Sequence, residues 1–448
     1  MKPLLAALAA AVALPACTSR SPDDGMTSLR EIVGTRAASP LVRTLSEQDK
    51  TGVQAAVKER LAKPVSSADA VAIALMNNPG LQAAYAELRV AETDLVQAGR
   101  LRNPGISVGR FRSGDEREIE RRIVFDVAGL VTMPWRVESE RSLYASAQLR
   151  AAAEVARVAD EARRAWVQAV AAQESARYAE QVKDAAEASA EIARQMLRAG
   201  NFSRLAQSRE QLFHAEAIAQ LARVRQAAVA ARERLTRAMG LSGAETAYTL
   251  PDRLPDIPAR PRELADAEAT AITQRLDVRA ARGETETMAR SLGLAHATRL
   301  VNVLEVAYER DSSSHEPRRT GYEVELSLPL FDWGDARLAK SEATYLRSMN
   351  RTAQIAINAR SQVREGHAAY RTAHDLARHY REEIVPLRKR ISEENLLRYN
   401  GMLISVFELL ADSREQASAV MAAIDAVRDF WIADANLETA LTTGSPAH

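Results

Sequence analysis

Cysteine occurs once among the 448 residues, which excludes an intrachain disulfide and any thiolate-rich zinc or iron–sulfur site. An excess of one charge is missing too: 60 Lys+Arg stand against 59 Asp+Glu, a formal net charge of +1, so no global field draws in nucleic acid or acidic lipid. Aromatic residues make up 5%, too few for ordinary globular cores. The apolar run from Leu4 to Leu14 is too short to span a bilayer as a helix. No Walker loop, G-x-G-x-x-G fingerprint or H-E-x-x-H occurs. His367 and His374 share a helix face at i, i+7, about 10 Å apart and too far for one metal, and His379 points elsewhere. The chain is therefore expected to be no enzyme and to carry no cofactor or metal.

What is abundant is alanine, at about 85 positions, alongside 27% charge. Small apolar residues on this scale point to long, closely packed helices. Ala151, Val155, Val158, Ala162, Ala165, Ala169, Ala172, Ala176 and Ala179 step by four and three, continuing through Ala186, Ala190, Ala193 and Leu197. That is a 3.5-residue repeat, so the helix supercoils on a partner through an alanine seam. From Arg136 to Ala199 such a rod is roughly 95 Å long. A return helix repeats the scheme through Ala217, Leu221, Val224, Ala228, Ala231, Leu235 and Ala238. A second series runs from Ala359, Val363, Gly366 and Tyr370 to Leu387 and Ile391, with Pro386 as an expected kink. Acids and bases alternate along these helices as on water-facing rods, and no nucleic-acid face emerges.

The N-terminus reads as a secretory signal, with Lys2 as its charged region and Leu4 to Leu14 as its apolar one. Leu14-Pro15-Ala16-Cys17 resembles a bacterial lipoprotein lipobox, although Pro15 stands where Ala, Ser or Thr is usual. Residues 1–16 are then the signal peptide and Cys17 the acylated mature N-terminus; the alternative is that Cys17 is lost with the signal. Thr18 follows where the inner-membrane retention signal has Asp, so the anchor is expected in the outer membrane. Residues 17–65 are expected to form an extended segment.

Two halves of like layout follow, at 66–245 and 262–441, with a Pro-rich linker at 246–261 and a tail at 442–448. Each half opens with a helix, passes through two alternating strands, enters a very long helix, turns at a glycine and returns. Asn78-Pro79-Gly80-Leu81 opens the first and Arg275-Leu276-Asp277-Val278 the second; Pro251, Pro255, Pro258 and Pro261 divide them.

The strands bear on function. Tyr322, Val324, Leu326, Leu328 and Leu330 alternate with Glu323, Glu325 and Ser327; Ile123, Phe125, Val127, Gly129, Val131 and Met133 form a second strand. Ile106 with Val108, and Leu304, Val306 and Tyr308, complete the four. Strands of about 9 to 11 residues with one lipid-like face fit a tilted membrane barrel, which must close. Four cannot close, so the chain is expected to oligomerise.

Three stretches, in order, resemble the TolC-type outer-membrane efflux family and its lipoprotein members: Asn78-Pro79-Gly80-Leu81, Ser327-Leu328-Pro329-Leu330-Phe331-Asp332-Trp333-Gly334, and Arg398-Tyr399-Asn400-Gly401-Met402-Leu403-Ile404-Ser405 followed by Glu408-Leu409-Leu410. The resemblance covers roughly 65 to 440. It implies a mainly α chain with a small transmembrane β part: a homotrimer whose four strands per chain complete a 12-stranded barrel, continued by an α-helical barrel across the periplasm. It also implies partners, a periplasmic adaptor and an inner-membrane pump of the RND type, with outer-membrane lipid around the barrel. Gly200, Ser203, Gly401 and Ser405 match the family's helix-tip pattern and are expected to meet the adaptor. Glycine at each turn is expected because it enters positive φ cheaply. Glu408 and Asp412 are candidate pore acids, Phe407 occupying the position usually acidic in the family. The function so implied is a passive exit duct; the alternative is a periplasmic coiled-coil lipoprotein scaffold without a channel.

Overall fold

Ser46 and Ser66 each close a capping box with the aspartate three residues on, and the chain enters helix at Glu47 and at Ser67. The computed structural model describes residues 21, 23–34, 41–264, 266–297, 304–326 and 333–444. Along them run α1 (Met26–Val33), α2 (Glu47–Leu61), α3 (Ser67–Asn77), α4 (Pro79–Ala98), β1 (Gly105–Ser113), β2 (Glu116–Asp126), α5 (Val127–Arg198) and α6 (Arg204–Ala238). The second half supplies α7 (Ala267–Gln274), α8 (Leu276–Ala297), β3 (Leu304–Ser313), β4 (Arg319–Leu326), α9 (Asp335–His379), α10 (Val385–Asn400) and α11 (Val406–Thr442). The duplicated order of parts is thus present. Segment 17–65, expected to be extended, instead holds α1 and α2: the capping box at Ser46 outweighs the Ser, Pro and Gly around it.

One unit comprises Ala84–Ala152 and Leu276–Ile357 with the described residues before Val33. Its sheet is antiparallel in the order β1-β2-β3-β4, leaving β1 and β4 as edges. Ile106, Ile123, Tyr308 and Tyr322 stand in one row across it. The second strand is shorter than the alternation predicts. Asp126 Oδ1 accepts from the Gly129 N–H at 2.6 Å, capping a new helix, so Val127, Gly129, Val131 and Met133 are helical. Hydroxyls join α8 to α9 closely, with Thr285 Oγ1 3.0 Å from Ser348 Oγ and 2.8 Å from Thr352 Oγ1.

The other unit comprises Val33–Ala83, Ala153–Arg275 and Asn358–His448. Alanine packs it as the periodicity predicts: Ala162, Ala169, Ala186, Ala190 and Ala193 are buried, as are Ala217, Leu221, Ala231 and Leu235 on α6. Ala172, Ala176 and Leu197 are half-buried. In the second half Ala359, Val363, Tyr370 and Ala377 are buried, and Tyr370 packs against Phe430 and Leu437. Beyond Ala377 the seam fails, with Leu387 and Ile391 exposed. The cause is the expected kink. Pro386 has no N–H to offer the preceding turn, and Tyr380–Ile384 widens into a π-turn, where Val385 N–H reaches Tyr380 O. One inserted residue turns the following helix face away from its predicted heading.

Asn78 and Arg275 occupy matching places, between α3 and α4 and between α7 and α8. Asn78 Oδ1 accepts from the Gly80 N–H at 2.8 Å, and its Nδ2 donates to Ala238 O at the end of α6. Arg275, 1% exposed, donates from Nη1 to Ala440 O at 3.1 Å and from Nη2 to Gln362 Oε1 at 2.9 Å. Each half thereby ties its opening bend to the carbonyls closing its last helix, which no intrahelical donor satisfies.

Candidate functional site

Strand alternation sorts the sheet into two chemically different faces. On one lie Ile106, Val108, Ile123, Phe125, Val306, Tyr308, Tyr322 and Val324, aligned by register into an apolar belt. The belt is uncovered within the chain: Ile106 is 73% exposed, Tyr322 67% and Val324 64%. The opposite face is acidic, with Glu120 opposite Asp311 and Asp126 opposite Glu305, itself opposite Glu325. Arg122 and Arg319 stand among these acids on the sheet, and Arg102, before β1, pairs with Asp126 at 3.1 Å. Arg122 reaches Glu323 at 2.8 Å and Glu309 at 3.4 Å. Within the chain the sheet thus presents one apolar and one ionic face, both largely uncovered.

The two helix turns are built alike but offset by one residue. After α5, Gly200 has φ +76°, and the Asn201 N–H closes on Met196 O at 2.9 Å. Following α10, Leu403 N–H closes on Arg398 O at 2.8 Å, making the same 6→1 bond. The left-handed residue in this second turn is Met402, φ +60°, while Gly401 has φ −80°. The expectation that Gly401 supplies positive φ is thus corrected: the geometry demands it one residue later. Ser203 and Ser405 then begin the next helices, accepting from Ala206 N–H at 3.1 Å and Glu408 N–H at 3.4 Å. Met402 and Leu403 stand 94% and 76% exposed at the second turn.

Beside these turns lies a buried ionic cluster that the sequence reading missed. Glu210, 1% exposed, accepts from Ser189 Oγ at 2.7 Å and pairs with Arg414 Nη2 at 2.5 Å. The Arg414 guanidinium also sits 4.4 Å over the Phe213 ring. Extending the α6 seam backwards from Ala217 by four and three gives Phe213, Glu210 and Ala206, so the heptad placed Glu210 inside. Of the two candidate pore acids, Glu408 is exposed and Asp412 is not: Asp412 is 7% exposed, with Oδ2 buried and lacking a hydrogen bond. A pore acid must meet water, which Asp412 does not within this chain.

Cys17 and the stretch Ser327 to Asp332 lie outside the described residues. His374 is buried with Nε2 2.9 Å from Pro258 O and its ring edge-on to Phe430. Among the described residues no helix is long and apolar enough to cross a membrane, and no group of three or more His, Cys, Asp or Glu could hold a metal ion.

No family model matches the sequence, and no curated protein matches it. Solved structures do match. The CmeC outer membrane channel of Campylobacter jejuni superposes with a TM-score of 0.73 at 14% identity, over 84% of this chain and 85% of that one. The outer-membrane channel OprN gives 0.70 at 17% identity, over 91% and 95%, and CusC, whose structures concern transmembrane channel formation, 0.70 at 16%, over 84% and 92%. At such identities the likeness is one of fold. Long helices with four strands per chain are the architecture of these outer-membrane channels.

Proposed function

We propose that three copies of this chain form a passive exit duct in the outer membrane, through which an inner-membrane pump of the RND type, joined by a periplasmic adaptor, expels its substrates. The observation that carries this reading is the sheet: an apolar face open to its surroundings, an acidic face behind it, and two edges of nine and eight residues without partners in the chain. Open edges of that length are a liability in water and vanish when neighbouring copies pair β4 with β1. In lipid, closure is obligatory. The family resemblance supplies the number three, hence twelve strands.

Acylated Cys17 would hold each copy to the membrane, adding to the barrel's own insertion. The turns carrying Gly200, Ser203, Gly401 and Ser405 would face the adaptor. Their apolar Met402 and Leu403, exposed here, offer its helical hairpins something to cover. Glu408 from three copies would ring the axis near this end and favour cations. No step of this function needs chemistry from the chain.

Single-channel recording from purified full-length protein in planar bilayers tests the reading. Discrete conductance steps are the expected result. Protein that leaves the membrane once its acyl chain is removed, and never conducts, would instead be a lipid-anchored scaffold.

A further inference from the structure

Toward the hairpin turns, the apolar face of the sheet changes character. Five exposed arginines occupy it there: Arg110, Arg112, Arg117, Arg121 and Arg310. Register sets two pairs of them directly opposite one another, Arg112 against Arg117 between β1 and β2, and Arg121 against Arg310 between β2 and β3. Like charges in facing positions destabilise a sheet. Among the described residues no carboxylate pairs with any of the five, whereas Arg122, on the other face, has two. The nearby carboxylates Glu118, Glu120 and Asp311 are turned to that other face by the alternation of the strands. The sheet therefore concentrates positive charge where its own acids cannot reach.

The position of this charge identifies what balances it. Arg121 and Arg310 stand one step beyond the row Ile106–Ile123–Tyr308–Tyr322, at the rim of the apolar belt. A ligand there must be anionic at its head and apolar below. Arginine forks match phosphate oxygens in pairs, and a phosphate between two guanidiniums removes their repulsion. Resting on the reading of this sheet as a membrane barrel, we infer that the five arginines form a collar that binds the phosphates of anionic lipid headgroups, one seated between Arg121 and Arg310, with acyl chains covering the belt. A soluble phosphate would satisfy the arginines but leave Ile106 and Val108, 73% and 67% exposed, uncovered.

The test uses full-length protein in nanodiscs of phosphatidylcholine with phosphatidylglycerol, with lipid retained through neutral-detergent washing identified by mass spectrometry and conductance recorded on the same preparations. Wild type is expected to retain phosphatidylglycerol preferentially. R121Q/R310Q should bind it roughly thirtyfold more weakly, as expected for two interfacial arginines. R237Q/R260Q, on exposed sites elsewhere, should match wild type. R121K/R310K keeps the charge and should still prefer the anionic lipid, which covers the case in which the glutamine variant does not insert. Equal retention by wild type and R121Q/R310Q overturns the collar, as does a lysine variant that inserts without preference, or displacement of the lipid by millimolar inorganic phosphate. Conducting protein without lipid preference defeats this inference alone; protein that never conducts defeats the duct.

Discussion

Met402 adopts φ +60°, a conformation that costs a side-chain-bearing residue about 1–2 kcal/mol, while Gly401 beside it does not need its freedom. Met402→Gly is therefore expected to stabilise the solubilised protein by about 1 kcal/mol, and Gly200→Ala, at φ +76°, to destabilise it by a similar amount, both read from denaturant midpoints. The correct residue was legible after all. Gly200 precedes its N-cap Ser203 by three positions, and Met402 precedes Ser405 by three, whereas Gly401 precedes it by four. Asp160 gives a second prediction. Burial pushes its carboxyl above the usual carboxylate range, against the Thr439 hydroxyl that donates to it at 2.8 Å and the nearby Arg163 and Arg164. A raised folded-state value means that its contribution to stability is complete below the unfolded value of about 4 and fades as pH rises through the folded one. Asp160→Asn keeps an acceptor for Thr439 and should raise the melting temperature at pH 7, with the gain vanishing near pH 3; an equal gain at both pH values would refute the sign. In the sequence Arg275 stands out only as part of an opening motif. Its grip on Ala440 O and Gln362 depends on elements brought together from 165 and 87 positions away, which no local pattern encodes.

Among elements, periodicity was the most reliable guide and its failures were local. The 3.5-residue seam of α5 and α6 is buried largely as spaced, because which residues share a helix face follows from geometry alone. Two boundaries moved, each because one side chain claimed a backbone donor or withheld one. Asp126 ended a strand by capping a helix, and Pro386 opened a π-turn that turned Leu387 and Ile391 outward. The Glu210–Arg414 pair ties α6 of the first half to α11 of the second. Removing Arg414 leaves a carboxylate buried at 1% exposure, so Arg414→Ala should cost about 3 kcal/mol, and the E210Q/R414A double variant should recover part of it. Strict additivity in that double-mutant cycle would mean the pair is not coupled.

On the proposed reading of three copies around a duct, the acidic face of the sheet sets a sign. With Glu305, Glu325 and Asp126 in one cross-strand row, three copies closing around the axis would line the duct with carboxylates. Reversal potentials under a KCl gradient should show cation preference, weakening in Glu305→Gln/Glu325→Gln and fading as salt rises and screening shortens. Anion preference would place the acidic face outside the conducting path. The same arrangement explains a near-zero net charge. Positive charge collects on one face of the sheet and negative on the other, and the helices mix both.

By itself the sequence determined the duplicated order of parts, the alanine seam and the alternation of the strands, because each rests on a spacing that helix and strand geometry fix within one element. Only the tertiary structure decided which residues become neighbours across the chain. It put arginine opposite arginine, set Glu210 against Arg414 and buried Asp412. The pairing of β2 with β3 and the packing of distant helices are settled by where backbone donors and buried charges find partners, and those partners lie far along the chain.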